Sequence, residues 1–408
     1  MRIQNVNRQL FYLFLCSFAI FFIGFGLFPI LPLYATEFGA SPSFIGVYLA
    51  ITYIAISLGS ALSGQLSERF SRRRLFIVSG LMGIPALILL GQAQGLWQVV
   101  ILTALVWFTG GVGLSISNVL TSLHTSSSTR GKAFGMLALA SPLSALISGL
   151  LVGRLVEWGG YPLMFTGMAL VWTLWPFLAI TRVEDKPDCD SAPGSSSQPS
   201  TDPFPPGLVF LLLLLTTLLA SMTVNVGRMG LSMVMKEMQF SVNDISTANA
   251  IGGLVTIPLT LLTGVFSDRL GRKRFLALGY LIAMCSAVML VFAQNLWEFW
   301  VVSGLVLASR SMISSMAPAY ATDLVRRRYL GKALPLVTAT NWVSGVIGFV
   351  GAGYVLDRFG AANLYGAISL IAFIGVVIVL FLPASLRQHA SMLKPVADAK
   401  GSLPTTGD

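Results

Sequence analysis

Twelve apolar runs limit what this chain can fold into. Each is 18 to 26 residues long, and a helix rises about 1.5 Å per residue, so each run can cross a bilayer core about 30 Å thick. The chain is 10% charged, whereas soluble domains are about 25% charged. We therefore predict an all-α membrane protein with 12 transmembrane helices. The runs cover residues 9–34, 43–66, 75–92, 97–122, 132–154, 161–181, 207–232, 245–266, 275–293, 297–322, 332–355 and 361–383.

The positive charges predict the orientation of these spans. If the N-terminus is cytoplasmic, 21 of the 26 Lys and Arg residues fall on cytoplasmic segments, and positive residues resist translocation. We expect both termini in the cytoplasm of a multi-pass plasma membrane protein, in a bacterium the cell inner membrane. The net charge of +10 then reports topology, and nucleic acid is not expected as a partner.

One charged loop occurs twice. GQLSERFSRRR at residues 64–74 returns 200 positions later as GVFSDRLGRKR at residues 264–274. The same register pairs Trp97 with Trp297 and repeats the tripeptide Gly-Lys-Ala. We predict two parallel six-helix halves. Their expected bounds are 1–182 for the N-terminal half, 183–205 for a flexible cytoplasmic linker, 206–383 for the C-terminal half and 384–408 for a disordered cytoplasmic tail.

Twelve spans in two sixes, with this loop after the second and eighth, resemble the major facilitator superfamily (MFS) of secondary transporters. FPILPLYATEFGASPSFIG, residues 28–46, is also similar to the twelve-span drug:proton antiporter branch. The resemblance implies the MFS fold and transport by alternating access, in which two halves rock about a central site. It also implies that spans 1, 4, 7 and 10 line that site.

The resemblance implies a role for the doubled loop as a cytoplasmic gate, whose acidic residue latches the two halves together in the outward-open state. The first copy departs from the family form, with Glu68 for the usual aspartate and Ser71 for the usual glycine. The alternative is that the loop only supplies topogenic positive charge. The predicted gate residues are Gly64, Glu68, Arg69, Arg72, Gly264, Asp268, Arg269, Gly271 and Arg272.

Arg310 lies near the bilayer centre in the tenth span, where no carboxylate at the same depth can neutralise it. Charges inside the membrane are costly and usually functional. Its partner is water, an amide, a backbone carbonyl or an anionic group on the substrate. Arg228 lies nearer the end of the seventh span, and we expect its side chain to reach the boundary.

The family resemblance places residues of spans 1, 4, 7 and 10 in the central cavity, and Tyr53 on span 2 with Asn341 and Trp342 on span 11 are expected beside them. Aromatic and methionine side chains suit an adaptable apolar pocket. Packing against lipid explains any one of them equally well. The predicted cavity residues are Arg310, Trp107, Asn118, Asn225, Phe25, Met316, Asn341, Trp342 and Tyr53.

A carrier driven by protons needs a group whose charge changes during the cycle. Glu37 and Asp323 are the nearest candidates for proton coupling, although each is also an ordinary charge at a helix end. The apolar runs contain no acidic residue near mid-depth.

The expected function is export of a small amphipathic compound by secondary active transport, as in an antiporter. The alternative is uptake or exchange of an organic anion bound by Arg310, because the spans offer this arginine but no acidic residue near mid-depth. The fourth span also departs from the antiporters, since Trp107 stands where they have an arginine. A third reading, from another class, is a membrane sensor or scaffold that does not transport. We expect no enzyme, cofactor or metal, since no phosphate-binding, nucleophile or metal-ligand motif is present. The expected partners are a small-molecule substrate and the lipid bilayer, and the chain is expected to be monomeric.

Overall fold

The computed structural model describes residues 2–125, 130–185, 207–325 and 329–383, without the side chains of 2–7, 68, 130–131, 263–270 and 331. In these ranges the chain is helical throughout, apart from short turns. The predicted tail, and the predicted linker from residue 186 onward, lie outside the described residues. The helices are α1 (Arg2–Leu27), α2 (Leu31–Glu37), α3 (Pro42–Arg69), α4 (Arg72–Leu90), α5 (Leu96–Leu123), α6 (Arg130–Ala138), α7 (Ala140–Thr181), α8 (Leu208–Glu237), α9 (Val242–Leu270), α10 (Arg272–Phe292), α11 (Leu296–Leu324) and α12 (Leu330–Phe381).

Two of the apolar segments each hold two passes. Ten described segments are long and apolar enough to span a membrane, and two of these, Lys132–Thr181 and Lys332–Phe381, are 50 residues long. Within them Gly160 and Gly360 have φ of +69° and +80°, so the helix is interrupted there. A Cβ placed on Gly167 would lie 3.0 Å from Leu155, whereas twelve residues span about 18 Å in a straight helix. The chain reverses at each glycine, and the prediction of twelve spans is confirmed.

The backbone shows the duplication as directly as the sequence does. Gly39 and Gln239 both have positive φ, at +75° and +64°, and Gly160 and Gly360 form a second such pair 200 positions apart. The confirmed architecture is therefore two six-helix repeats. Both copies of the charged loop lie at one end of the bundle, which we call the hinge side. The opposite end is called the far side.

Proline breaks the first span and exposes a backbone acceptor. The chain leaves α1 at Leu27 and enters α2 at Leu31, with Pro29 between them. Proline has no N–H, so the carbonyl four residues earlier, that of Phe25, loses its helical donor. Asn249 of the other half supplies one instead, since its Nδ2 donates to the Phe25 oxygen at 3.2 Å. The break thereby fixes a contact between the halves.

The halves pack through α3 on α12 and through α7 on α9. On the first side, a Cβ on Gly46 would lie 2.3 Å from the Phe349 oxygen and 3.0 Å from Gly353 Cα. Small residues let helix backbones approach this closely in membranes. On the second side the equivalent of Gly46 is Ser246. Its Oγ donates to the Gly149 oxygen at 2.8 Å and accepts from Gly153 N at 3.2 Å.

These contacts close the far side of the bundle. The two interfaces are related by the 200-residue repeat, because positions 46, 349 and 353 on one correspond to 246, 149 and 153 on the other. Polar bonds add to them: Ser43 Oγ donates to Asp357 Oδ2 at 2.5 Å, and Lys236 Nζ donates to Thr36 Oγ1. We call this set of contacts the far-side seal. The structure is that of a bundle closed at the far side.

Candidate functional site

Two adjoining cavities lie between the halves. The deeper one, with a volume of about 100 Å³, is called the aromatic chamber. Its ring-bearing and charged lining residues are Phe21, Phe25, Phe28, Tyr53, Trp107, Trp172, Trp342, Arg228 and Arg310. The second cavity, about 580 Å³ in volume, is called the vestibule. Phe21, Phe25 and Arg310 line both, so the chamber opens directly into the vestibule.

The vestibule is more polar and lies toward the hinge side. Its walls come from the hinge-side parts of α7, α9 and α11, together with Phe21 and Phe25 of α1 and Ala138 of α6. Its polar lining residues are Ser141, Thr256, Thr260, Arg310, Ser311, Ser314 and Ser315. Together the cavities form a pocket within the usual size for small ligands, about 300 to 1,000 Å³.

Two guanidinium groups face the same phenylalanine. Arg228 Cζ lies 5.4 Å from the centroid of the Phe25 ring and 3.8 Å from that of Phe28. Arg310 Cζ lies 5.8 Å from the Phe25 centroid. At these distances a cation–π contact stabilises a desolvated cation by about 2 kcal/mol or more. The rings therefore offset only part of the cost of holding two positive charges inside a membrane.

The expectation that Arg228 reaches the membrane boundary is wrong. Arg228 is 8% exposed and lines the aromatic chamber. The far-side seal lies above it, and the Asn249 and Ser303 side chains border the small space on its other side. Counting residues along the span gave its depth correctly but could not show that the far side is closed over it.

Arg310 lacks a protein counter-charge. Across the described residues, its guanidinium has no hydrogen bond or ion pair, only the contact with the Phe25 ring. Asn225 and Asn341 border it in a small adjoining pocket, but their amide oxygens have other donors. Tyr53 Oη donates to Asn225 Oδ1 at 3.0 Å, and Ser221 Oγ donates to Asn341 Oδ1 at 2.7 Å.

Most of the predicted cavity residues lie together. Phe25, Tyr53, Trp107, Trp342 and Arg310 line the chamber, Met316 lines the vestibule, and Asn225 and Asn341 line the pocket beside Arg310. Asn118 lines none of these cavities. It shares a helix face with Trp107 and Leu114 but lies further toward the hinge end, where it is exposed.

The residues around the two arginines that were missed from the sequence include Phe21, Phe28, Trp172, Arg228 and Asn249. Pro29 could have indicated Asn249, because a freed carbonyl in a membrane needs a donor. The charge of Arg228 within an apolar run was a second visible signal. Phe28 and Trp172 carry no such signal, since aromatic residues are common in every span.

The predicted gate is described in part. Arg272 Nη1 lies 2.9 Å from Asp323 Oδ1 and donates to the Ala319 oxygen at 2.8 Å, which ties the second loop to α11. Gly64 faces open space, with no atom within 4 Å of an added Cβ. The side chains of Glu68, Asp268 and Arg269, and whatever surrounds Gly264, lie outside the described residues. The latch between halves stays a prediction.

The two candidates for proton coupling lie at opposite ends of the bundle. Glu37 is 56% exposed at the far side, 3.9 Å from Lys236 Nζ. Asp323 is 15% exposed at the hinge side in its pair with Arg272. Neither lines the chamber or the vestibule.

The family model described as Major Facilitator Superfamily matches residues 13–229 and 211–402, which together cover most of the sequence. The chain belongs to the Major Facilitator Superfamily. The resemblance seen in the sequence is thereby confirmed. An MFS chain is a secondary transporter and not an enzyme, and its apolar spans make it a multi-pass protein of the plasma membrane.

Relatives of this MFS chain include transporters named for drug resistance. It is 22% identical over 384 residues to the multidrug resistance protein MdtG of Proteus mirabilis (strain HI4320), which covers 90% of this chain and 94% of the relative. It is 25% identical over 309 residues to MdtG of Escherichia coli (strain 55989 / EAEC), covering 73% and 74% of the two chains.

Solved MFS-type structures share the fold at lower identity. A bacterial homologue of the human lysosomal transporter Spinster, in an inward-facing and occupied conformation, aligns with a TM-score of 0.72 at 12% identity, over 93% of this chain and 97% of that one. A peptide transporter POT in complex with sulfate aligns with a TM-score of 0.73 at 14% identity, over 91% and 94%. These likenesses concern the fold alone.

Proposed function

We propose that this chain exports small amphipathic compounds from the cell by alternating access. The observation that carries the proposal is the chamber itself, a cavity between the halves that is lined by aromatic rings, adjoins the vestibule and lies beneath the contacts of the far-side seal. Rings and methionine make an adaptable apolar surface that accepts compounds of differing shape. The MdtG relatives, which are named for multidrug resistance, support the same direction and kind of cargo.

The hinge side is the cytoplasmic side in this proposal. The basic loops predict that orientation, because positively charged segments stay on the side of synthesis. With that orientation the structure is inward-open: a compound in the cytoplasm or inner leaflet enters the vestibule and reaches the chamber. Opening of the far-side seal, with closure of the hinge side, then releases it outside.

Active export requires a driving ion, and we propose a proton antiport in which Glu37 or Asp323 carries the proton. Each is an ion-paired carboxylate at a membrane boundary, where it can exchange protons with water. The pair of Glu37 with Lys236 joins the two halves and rearranges when they rock, whereas the pair of Asp323 with Arg272 joins α10 and α11 within one half. The chain acts as a monomer in this scheme, since the cavity is formed within one chain.

Dye accumulation in cells tests the export. Cells that express the chain and cells with an empty vector are loaded with a panel of neutral, cationic and anionic fluorescent amphipaths, at equal cell density. Export predicts lower accumulation of at least one dye in the expressing cells, abolished by an uncoupler. Equal accumulation of every dye overturns the proposal, and higher accumulation shows uptake instead.

A further inference from the structure

Two arginines and the absence of a neutralising acid distinguish the aromatic chamber from a purely apolar drug pocket. We propose that the chamber binds an amphipathic anion, with a carboxylate, sulfonate or phosphate group held between Arg228 and Arg310 and an apolar body stacked among the rings. This inference rests on the proposed export function, because it concerns the substrate class of the same cavity.

The first step of the argument is that both charges are permanent. A guanidinium stays protonated in proteins, whereas a buried lysine can lose its proton. Arg228 and Arg310 therefore both bring positive charge to a space of about 100 Å³. Placing one unpaired charge inside a membrane is costly, and placing two near each other adds their repulsion.

The second step is that no acidic side chain among the described residues neutralises them; Arg228 has a hydrogen bond with the Tyr53 hydroxyl, which carries no charge. The ion pairs among described side chains are Lys236 with Glu37 and Arg272 with Asp323, and both lie at the ends of the bundle. The side chain of Asn249, which borders Arg228, donates its amide N–H to Phe25 and Ala145 carbonyls. Neither Asn225 nor Asn341 accepts a hydrogen bond from Arg310; their amide oxygens accept from Tyr53 and Ser221.

The third step concerns geometry. The two guanidinium groups approach one ring, Phe25, from distances of 5.4 and 5.8 Å, so they converge on a shared space. A planar guanidinium donates two parallel N–H bonds to a carboxylate, sulfonate or phosphate group. Trp107, Trp172 and Trp342 line the same chamber and supply flat apolar surface for the rest of the molecule. The residues thus suit an anion attached to an aromatic body.

A matched pair of probes tests the charge preference. N-phenyl-1-naphthylamine is neutral, and 8-anilino-1-naphthalenesulfonate has the same ring system with a sulfonate added. Binding to the purified chain in nanodiscs is followed by energy transfer from tryptophan, with protein-free nanodiscs as the blank. We expect the sulfonate to bind at least tenfold more tightly, because hydrogen bonds to charged groups typically change affinity by about ten- to a hundredfold.

Variants then locate that preference. Arg228→Gln and Arg310→Gln should each weaken sulfonate binding about tenfold or more and leave binding of the neutral probe within about twofold, which also shows that the variants are folded. Arg310→Lys keeps the positive charge but loses the two parallel N–H donors of the guanidinium. Its affinity for the sulfonate should lie between those of the native chain and Arg310→Gln. Arg154→Gln removes the same charge from an exposed position and should change nothing.

Each outcome has a defined meaning. Equal binding of the two probes, or a sulfonate preference that survives both Gln substitutions, overturns the anion site. Binding of the neutral probe alone does so too, while leaving the proposed export intact. If neither probe binds and no dye accumulates differently in cells, the export proposal fails, and the inference that rests on it fails with it.

Discussion

Gly46 and Gly353 face each other across the two halves so closely that a Cβ on either would lie 3.0 Å from a backbone atom of the other. The glycine hydrogens are the only substituents that fit at this point of the far-side seal. The contact exists in the inward-open state of the proposed cycle and must separate when the far side opens. A methyl group placed here should therefore destabilise the state that is sealed at the far side and leave the state that is open there unaffected.

Gly46→Ala and Gly353→Ala should shift the chain toward the state that is open at the far side. Overpacking costs about 1 to 3 kcal/mol, which is a shift of roughly five- to 150-fold in the ratio of the two states. The shift can be measured as a longer distance between spin labels on Cys at positions 158 and 359, both exposed in the native protein. The labels require a background without Cys16, Cys189 and Cys285.

Gly351→Ala is the matched control for that experiment. It lies on the same helix as Gly353, and an added Cβ there meets no atom within 4 Å. It also gains the same helix propensity, about 1 kcal/mol relative to glycine. A distance change of equal size in Gly351→Ala would show that propensity, and not the contact, sets the equilibrium.

The second interface of the seal depends on hydrogen bonds where the first depends on close packing. Ser246→Ala removes the bonds of Ser246 Oγ to Gly149 and Gly153 without adding bulk. Each such bond is worth about 1 kcal/mol, so loss of both should shift the ratio of the sealed to the open state by about thirtyfold, within the range expected for Gly46→Ala. The same spin-label distance reports it.

Ser309→Ala is the comparison for Ser246. Ser309 is fully buried, but its hydroxyl donates only within its own helix, to Val306 at 2.9 Å. It should leave the distance distribution unchanged. If Ser246→Ala behaves in the same way, the bonds across α7 and α9 do not stabilise the sealed state.

The two copies of the charged loop begin their following helices by different means. Ser71 has φ of −62° and its side chain accepts from Arg74 N, whereas Gly271 has φ of +82° and no side-chain cap. Gly271→Ser should destabilise the protein by about 1 to 2 kcal/mol because a Cβ is strained at positive φ. Ser71→Gly should cost only a few tenths.

Melting temperatures of the two variants in detergent measure this difference. Ser71→Ala is a useful third variant, because it removes the cap without supplying flexibility and should cost about 1 kcal/mol. Equal melting of Gly271→Ser and Ser71→Gly would show that the positive φ is not required in solution.

The asymmetry between the loops extends to the predicted latch. The second copy has the family's aspartate and glycine at Asp268 and Gly271, while the first has Glu68 and Ser71. Asp268→Asn should therefore slow transport more than Glu68→Gln, as seen in initial rates of dye efflux at matched expression. Equal slowing, or none, would count against the latch.

The fold could be predicted from sequence because a membrane enforces it locally. Each span must satisfy its own backbone, so the apolar runs and the two loop copies were enough to give twelve helices in two repeats. The chamber was predicted only in part, because its membership depends on how the halves meet. Trp107 was found through the family and Trp342 as a neighbour of the family's cavity spans, but Arg228 was misplaced because no local pattern reveals that the far side is closed.

The same limit applies to contacts that only the assembled bundle creates. Asn249 is an ordinary polar residue in its own span, and its bond to the Phe25 carbonyl exists because Pro29 lies in the other half. The requirement for glycine at position 46 likewise arises only because Gly353 of the other half lies against it, and the reverse is also true. Helix-by-helix patterns contain the donors, acceptors and small residues, but not their pairing.

A test of proton coupling can show which of the two candidate carboxylates, Glu37 or Asp323, carries the proton. Glu37→Gln removes the exposed far-side pair with Lys236, worth at most about 1 kcal/mol, and Asp323→Asn removes the hinge-side partner of Arg272. If one of them carries the proton, its variant should still bind substrate but should no longer accumulate it in response to a pH gradient. Reconstituted vesicles with an imposed gradient of about one pH unit give that measurement.

The neutral variant of a coupling residue has a second signature, since it should continue to exchange substrate across the membrane without a gradient. Glu157→Gln, at an exposed far-side position that lies outside both cavities, provides the control for loss of a negative charge. Full coupling in both Glu37→Gln and Asp323→Asn would remove the carboxylates from the mechanism. Transport would then have to be driven by another ion or by the charge of the substrate itself. In a cell with a negative interior, the membrane potential drives a monovalent anion outward, and each 100 mV supports a concentration ratio of about fifty-fold.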